Sequence, residues 1–264
     1  MRKLARREIG NHRLNTIHML ATSCDPFTDN IYSFDMEPSL ALARQASEQY
    51  GRKITFGHVL TKLLAFAIDE NPVFNQVVLG RSIYQIEGVH VSNVFMLPGK
   101  ELALAVIVMN NPHRMTLAEI QQESLMSMVQ KTREHAAPKN KWLPLALALF
   151  FRLRLNLLLS ERLIFTAAFN KGLGSNIFLS VHDYGGPSPF YNSGCVTTVG
   201  KAVLRIHASP MGLQPFVDES GAVVSRETLK LNVIGDHRVI NGVDYYRLGQ
   251  SLKKLFASPE KYLL

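Results

Sequence analysis

The chain has 264 residues, more than a typical domain but within reach of one large domain of helices and strands. Its 47% hydrophobic and 19% charged residues are ordinary for a globular protein. Its two cysteines, Cys24 and Cys195, imply no disulfide framework and match no zinc pattern. The net charge of +8 suits nucleic acid, an anionic membrane or a small polyanionic ligand, and an ordinary solvated basic surface is the alternative. No run of basic and aromatic residues indicates nucleic acid.

The cysteine content and the N-terminus predict where the protein resides. So few cysteines favour a reducing, cytoplasmic setting. The basic start, Met1 to Arg7, is followed by Glu8 and Asn11 where a secretion signal would have an apolar core. We therefore expect a cytoplasmic protein without a secretion signal.

The first half of the chain mixes helices with strands. Apolar spacing, turn residues and a Thr-x-x-Glu capping box predict the following elements: a strand over 31–34, a helix opening at Pro38, a helix from about Thr55 or Phe56 to Glu70, strands over 89–95 and 102–109 around a Pro98-Gly99 turn, and a helix from Thr116 toward Arg133. Asn71-Pro72 should end the second helix, because the residue before a proline disfavours helical backbone.

The segment from Trp142 to Phe165 is dominated by Leu, Phe and Ala. Its charged residues are Arg152, Arg154, Glu161 and Arg162. They leave no apolar run of about eighteen residues, the length that would indicate a transmembrane helix. Three interpretations stay open: a buried or oligomer-facing helix, the wall of an acyl-chain pocket, or a basic amphipathic contact with a membrane surface.

The second half of the chain is richer in strands. Predicted elements are strands over 177–181, 197–205, 213–217 and 229–234, and a helix over 243–257 whose apolar stripe includes Tyr246, Leu248, Leu252, Leu255 and Phe256. Because helices and strands do not alternate strictly, the order predicts an α+β fold rather than a parallel α/β sheet.

Of the nine histidines, His237 has the most distinctive context. It follows an apolar strand and is followed within five residues by Gly242 and a helix. Such a corner can hold an imidazole at the rim of a pocket, and imidazole suits proton transfer near neutral pH because its ordinary pKa is about 6.5. A structural role for a single histidine is the alternative interpretation.

The segment Asp236-His237-Arg238-Val239-Ile240-Asn241-Gly242 resembles a known signature. The signature is the His-x-x-x-Asp-Gly motif shared by chloramphenicol acetyltransferases and the catalytic domains of 2-oxoacid dehydrogenase acyltransferases. In the latter the motif typically reads Asp-His-Arg-Val-Ile-Asp-Gly. The similarity extends over further segments, at 53–56, 71–75, 101–108 and 258–264. The resemblance implies one catalytic domain over 1–264 with a chloramphenicol acetyltransferase-like mixed sheet flanked by helices, interrupted by a Leu-rich insertion at about 139–170.

The resemblance also implies a reaction, the direct transfer of an acyl group between CoA and a second thiol such as dihydrolipoamide, or another nucleophile. His237 would be the general base. In the family, a hydroxyl on a strand before a glycine turn stabilises the oxyanion of the reaction intermediate. The corresponding residue here is Ser180, before Gly185-Gly186, with Ser175 as the alternative. Acyl-CoA would be the donor substrate, without a metal.

Asn241 departs from the family pattern, because the family has an aspartate that pairs with an arginine and braces the histidine loop. Asparagine keeps the shape and the hydrogen bonds of aspartate but lacks its charge. Two interpretations follow. The loop is braced by neutral hydrogen bonds and active, or the chain is a catalytically degenerate structural subunit of a 2-oxoacid dehydrogenase-type or related assembly.

Partners follow from the same resemblance. The implied assembly is a homotrimer, or a larger assembly built from trimers, with each active site between two subunits. The sequence has no lipoyl attachment site, so a lipoyl group would have to come from a lipoyl-bearing or carrier partner protein. No nucleic-acid partner is expected, and a membrane contact would involve only the segment 142–165.

Overall fold

A computed structural model describes residues 2–5, 8, 26–79, 82–97, 103–136, 177–181, 204–218 and 220–263. Several predicted features lie outside these residues: the insertion at about 139–170, the Pro98-Gly99 and Gly185-Gly186 turns, Ser175, Cys24 and Cys195. Predictions about them therefore stay predictions.

The helices follow the apolar spacing of the sequence. They are α1 (Glu37–Tyr50), α2 (Phe56–Glu70), α3 (Leu117–Ala136), α4 (Gly242–Ala257) and α5 (Glu260–Leu263), with short 3-10 turns at Pro72–Asn75 and Pro112–Arg114. Helix α2 ends at the predicted Asn71-Pro72 break. At the start of α3, Glu119 accepts hydrogen bonds from the Thr116 backbone N–H and hydroxyl, as the predicted capping box requires. No helix in the described ranges is long and apolar enough to cross a membrane.

A mixed sheet forms the centre of the described residues. Its strands are β2 (Phe27–Asp35), β5 (His90–Leu97), β6 (Ala103–Asn110), β7 (Ile177–Val181), β8 (Leu204–Ala208), β9 (Gly212–Val217) and β10 (Val223–Asp236). The order is β2-β10-β8-β7-β5-β6, with β9 paired to the first half of β10. Strand β7 is parallel to β5 and β8, and the other pairs are antiparallel.

A second, three-stranded sheet has the order β1-β4-β3, from β1 (Arg2–Lys3), β3 (Gln76–Leu79) and β4 (Ser82–Gln85). The sequence did not predict these strands. Together the helices and the mixed and antiparallel sheets confirm the α+β fold class.

The core lies between one face of the large sheet and helices α1, α2 and α4. Phe34 on β2 stacks on Phe256 of α4, with ring centroids 4.5 Å apart. The second half of β10 lies between β2 and β8, and its Leu231 and Val233 have no exposed surface. This buried half-strand leads directly into the candidate site.

Candidate active site

The connection between β10 and α4, residues 237–241, is fixed by backbone hydrogen bonds. The Val239 and Ile240 N–H groups both donate to the Asp236 carbonyl, at 2.9 Å. The His237 N–H donates to the carbonyl of Pro26, at 2.8 Å, just before β2. His237 therefore sits on a turn that is tied to two neighbouring strands, as its corner position predicted.

The His237 ring is oriented by a carbonyl of the same turn. Its Nδ1 lies 2.7 Å from the Ile240 carbonyl oxygen. Because a carbonyl can only accept, Nδ1 must carry the proton. The neutral ring consequently has its lone pair on Nε2, the arrangement that a general base needs. The side chain is half-buried, which leaves part of it open to a substrate.

Arg238 is paired with the preceding carboxylate. Its Nε lies 2.9 Å and 3.1 Å from the two carboxylate oxygens of Asp236, and its NH2 group donates to Oδ2. The Asp236 side chain is only 9% exposed. A planar guanidinium held by both oxygens of a largely buried carboxylate is a geometrically specific pair. The arginine of the motif is thus neutralised without a carboxylate at position 241.

Asn241 is the N-cap of helix α4. Its Oδ1 accepts from the backbone N–H groups of Val243 and Asp244, at 3.0 Å and 3.1 Å. In return, Oδ2 of Asp244 accepts from the Asn241 N–H at 3.0 Å, which completes a capping box. The Asn-x-x-Asp spacing could have predicted this role from the sequence. The side chain fixes the point where the turn becomes a helix.

Beneath the turn lies a buried group that the sequence analysis missed. The Tyr245 hydroxyl donates to the Thr28 carbonyl at 3.0 Å and accepts from the Thr28 hydroxyl at 3.1 Å. Burial raises the pKa of Tyr245 to about 12, so the hydroxyl is neutral at physiological pH. The predicted apolar stripe of this helix was wrong at one position, because Tyr246 is 67% exposed while Tyr245 is buried.

Ser180 lies in β7, away from the His237 turn. Its register partner on β8 is His207, and the partner of His207 on β10 is Asn232. Asn232 precedes His237 by five positions along β10, so the Ser180 and His237 backbones of one chain lie roughly 15–20 Å apart at ordinary strand spacings. His237 and Asn241 are therefore together in one turn, and Ser180 is not beside them.

Buried polar side chains lie on β8 and β10, the next two strands of the sheet after β7. His207 and Asn232 are 7% and 6% exposed. Arg205, also buried, has its guanidinium carbon 4.5 Å from the centroid of the Phe27 ring. Neither β8 residue was singled out by the sequence, because a polar residue within a short apolar strand has no local signature. In the described ranges no group of three or more His, Cys, Asp or Glu side chains could hold a metal ion.

The first half of the chain matches a known family. Residues 13–141 match the model for the catalytic domain of 2-oxoacid dehydrogenases acyltransferase. The His237 motif lies outside this range, so the match and the motif are separate observations. No match to the chain is found among curated proteins.

Solved structures share the fold over almost the whole chain. The dihydrolipoamide acetyltransferase of Azotobacter vinelandii is 19% identical, with 100% of this chain and 94% of that chain covered and a TM-score of 0.66. The cubic core of a pyruvate dehydrogenase multienzyme complex is 20% identical, with the same coverage and a TM-score of 0.65. A chloramphenicol acetyltransferase is 12% identical, covers 97% and 100%, and has a TM-score of 0.58.

The Azotobacter enzyme was studied for the roles of a serine, a histidine and an asparagine in its catalytic mechanism, the asparagine four positions after the histidine. The fold expected from the resemblance, chloramphenicol acetyltransferase-like with a mixed sheet flanked by helices, is confirmed. Residues 13–141 of the chain thus match the model for the catalytic domain of 2-oxoacid dehydrogenase acyltransferases, and the chain shares the fold of the solved catalytic cores along its length.

Proposed function

We propose that this chain is an acyltransferase that moves an acyl group between CoA and an acceptor thiol, with His237 as the general base. The observation that carries the proposal is the 2.7 Å contact between His237 Nδ1 and the Ile240 carbonyl. It leaves Nε2 as the proton acceptor in the neutral ring, on a half-buried side chain whose backbone is fixed.

The reaction would proceed by direct transfer. His237 Nε2 takes the proton from the attacking thiol, and the sulfur forms a bond to the thioester carbonyl carbon. The carbonyl carbon becomes tetrahedral, and its π electrons move to the oxygen, which becomes an oxyanion. When the intermediate collapses, the bond to the leaving sulfur breaks, and that thiolate recovers the proton from Nε2. Because the proton leaves one thiol and returns to another, the base is regenerated in every cycle.

Ser180 is the proposed donor to the oxyanion, supplied by a second subunit. The separation of roughly 15–20 Å between the Ser180 and His237 backbones of one chain is too large for both to contact one carbonyl group. A site shared between two copies removes this difficulty. We therefore propose a homotrimer, or an assembly of trimers, in which each site takes His237 from one copy and Ser180 from the next.

The proposed donor and acceptor follow from the relatives. The Azotobacter protein is a dihydrolipoamide acetyltransferase, so dihydrolipoamide carried by a lipoyl-bearing partner is the acceptor that we propose first. Acyl-CoA is the proposed donor, and the excess of 29 basic over 21 acidic residues suits its phosphates. The cytoplasmic location expected from the cysteine content stays a prediction.

The alternative is a catalytically degenerate structural subunit, which Asn241 suggested. Three observations favour activity instead. Asn241 caps α4 through neutral hydrogen bonds, and Arg238 already has a carboxylate partner in Asp236. The asparagine studied in the Azotobacter mechanism follows its histidine by the same four positions as Asn241 follows His237. We expect Asn241→Asp, which keeps the N-cap, to retain transfer.

The direct test is a thiol-release assay with a panel of acyl-CoA donors and with dihydrolipoamide and other thiols as acceptors. We expect His237→Ala to lower kcat about 10²- to 10⁴-fold, the usual contribution of a positioned base. His237→Gln is the matched variant that keeps a polar side chain of similar size. A wild type as inactive as both variants on every pair of substrates would favour the structural subunit.

The shared site can be tested by mixing two inactive variants. Ser180→Ala should lower kcat about 10²-fold, as loss of one oxyanion donor does. If His237 and Ser180 act from different copies, co-assembly of the two variants in equal amounts should return about a quarter of the wild-type sites, since each site needs an intact residue from two copies. Mixtures that stay as inactive as the separate variants would place both residues in one copy or exclude Ser180.

A further inference from the structure

Gly235 on β10, two positions before His237, is in close contact with the side chains of Ile240 and Tyr245. A Cβ atom added at Gly235 would lie 2.6 Å from Cδ1 of Ile240 and 2.7 Å from the hydroxyl oxygen of Tyr245. Real Cβ contacts are not found at such distances, because atoms in a packed interior repel strongly below van der Waals separation. Gly235 is therefore required by packing, and no left-handed backbone angle is involved.

Ile240 joins this contact to the candidate base. Its side chain packs over Gly235, and its carbonyl oxygen accepts the hydrogen bond from His237 Nδ1. Ile240 has no exposed surface, so a group added at position 235 pushes its side chain against packed neighbours. A shift of the Ile240 backbone in response would move the carbonyl that holds the imidazole.

Tyr245 closes the same contact from the helix. Its hydroxyl is bound to the backbone and side chain of Thr28, and its carbonyl accepts from the Tyr32 hydroxyl at 2.8 Å. Its ring meets Phe74 edge to face, with centroids 5.8 Å apart. Four groups therefore fix Tyr245 from β2 and the 3-10 turn, and the ring cannot swing away from position 235 at low cost.

We propose that Gly235, Ile240 and Tyr245 are positioning residues whose side-chain volumes are matched to one another. Their packing holds Nδ1 of His237 against the Ile240 carbonyl and so keeps Nε2 directed at the substrate. The proposal rests on the proposed role of His237 as the base. None of the three residues contacts the reacting atoms. They act through the orientation of the imidazole.

The test is Gly235→Ala in the full chain. We expect kcat to fall about 100-fold, the effect of displacing a catalytic group by about an ångström, with KM changed less than twofold. NMR signals of the His237 ring nitrogens report which nitrogen carries the proton, and they can be assigned by their absence in His237→Gln. They should show the Nδ1–H form in the wild type and a mixture of tautomers in Gly235→Ala.

Gly88→Ala is the matched control. Its Cβ would lie 2.7 Å from Oδ1 of Asn111, so the contact is as short, but it involves neither the His237 turn nor any of the four groups that fix Tyr245. We expect this variant to lose stability while kcat stays within about threefold of the wild type. The comparison separates a displaced base from a general loss of packing.

Rescue by smaller neighbours completes the design. Ile240→Val removes Cδ1 and Tyr245→Phe removes the hydroxyl, the two atoms closest to the added Cβ. Combined with Gly235→Ala, they should restore kcat at least tenfold and return the Nδ1–H signal. The proposal is wrong if Gly235→Ala lowers kcat no more than Gly88→Ala does, or if the His237 ring nitrogens of Gly235→Ala match those of the wild type. A wild type without transfer activity would refute the proposed function, while the ring nitrogens would still decide the positioning role.

Discussion

Strand β10 starts in an exposed hairpin with β9 and ends beneath the His237 turn. In this hairpin, Val223 on β10 and Leu213 on β9 are 73% and 74% exposed. At its end, Leu231 and Val233 are fully buried between β2 and β8. One continuous strand therefore combines a half that tolerates change with a half whose packing determines where His237 lies.

The largest difference between the two halves should appear in stability. We expect Leu231→Ala to lower the free energy of unfolding by about 2–5 kcal/mol, because it leaves a cavity in a packed core. Leu213→Ala should change the free energy of unfolding by less than about 0.5 kcal/mol, since the side chain is mostly exposed. Urea unfolding at one fixed protein concentration measures both. Equal losses would show that the exposed half of β10 is covered in solution.

A smaller effect is expected at the end of the buried half, where the turn becomes α4. Asn241→Ala removes the acceptor for two backbone N–H groups and should lower the free energy of unfolding by about 1 kcal/mol. Asn241→Ser is the control, because serine is also a good N-cap. If serine is as destabilising as alanine in the same urea experiment, the contribution of Asn241 does not come from capping.

The last expected effect is absent at neutral pH and appears only at alkaline pH. Burial raises the pKa of Tyr245 to about 12, and that of Tyr32 is raised as well, first by burial and then by Tyr245. An unfolded tyrosine ionises near pH 10, so the folded state binds protons more tightly. The stabilisation is thus complete below about pH 10 and is lost as pH rises toward 12. In thermal unfolding, Tyr245→Phe should reduce the fall in Tm as the pH rises from 10 to 12, whereas Tyr246→Phe, a change at an exposed tyrosine, should not.

Much of the fold was predictable where local signals were strong. Helix α2 combines regular apolar spacing with Asn71-Pro72, and both of its ends were predicted. Strands β3 and β4 have only four residues each, too few for a periodic pattern, and were missed. Strand β10 is longer than its predicted 229–234 because pairing with β9 extends it through residues that alternate in exposure.

The candidate site was predictable only in part. The motif identified His237 and Asn241, and the structure places both in one turn. It could not indicate Tyr245, whose importance depends on reaching Thr28, 217 positions away in the sequence. The same helix explains the error at Tyr246. Neighbouring tyrosines in the first turn cannot be assigned to the inner or outer face until the position of the strand below is known.

The hydrogen bond from His237 to the Pro26 carbonyl, with the pairing of β10 on β2, has a consequence for folding. The turn is completed by residues from near the N-terminal end of the sequence. Contacts between residues so far apart in sequence form late in folding, because a long loop must close first. We therefore expect the His237 turn to become ordered during synthesis only after helix α4 has left the ribosome. On refolding from urea, catalytic activity should therefore return with the slowest structural phase, after most helical signal has recovered.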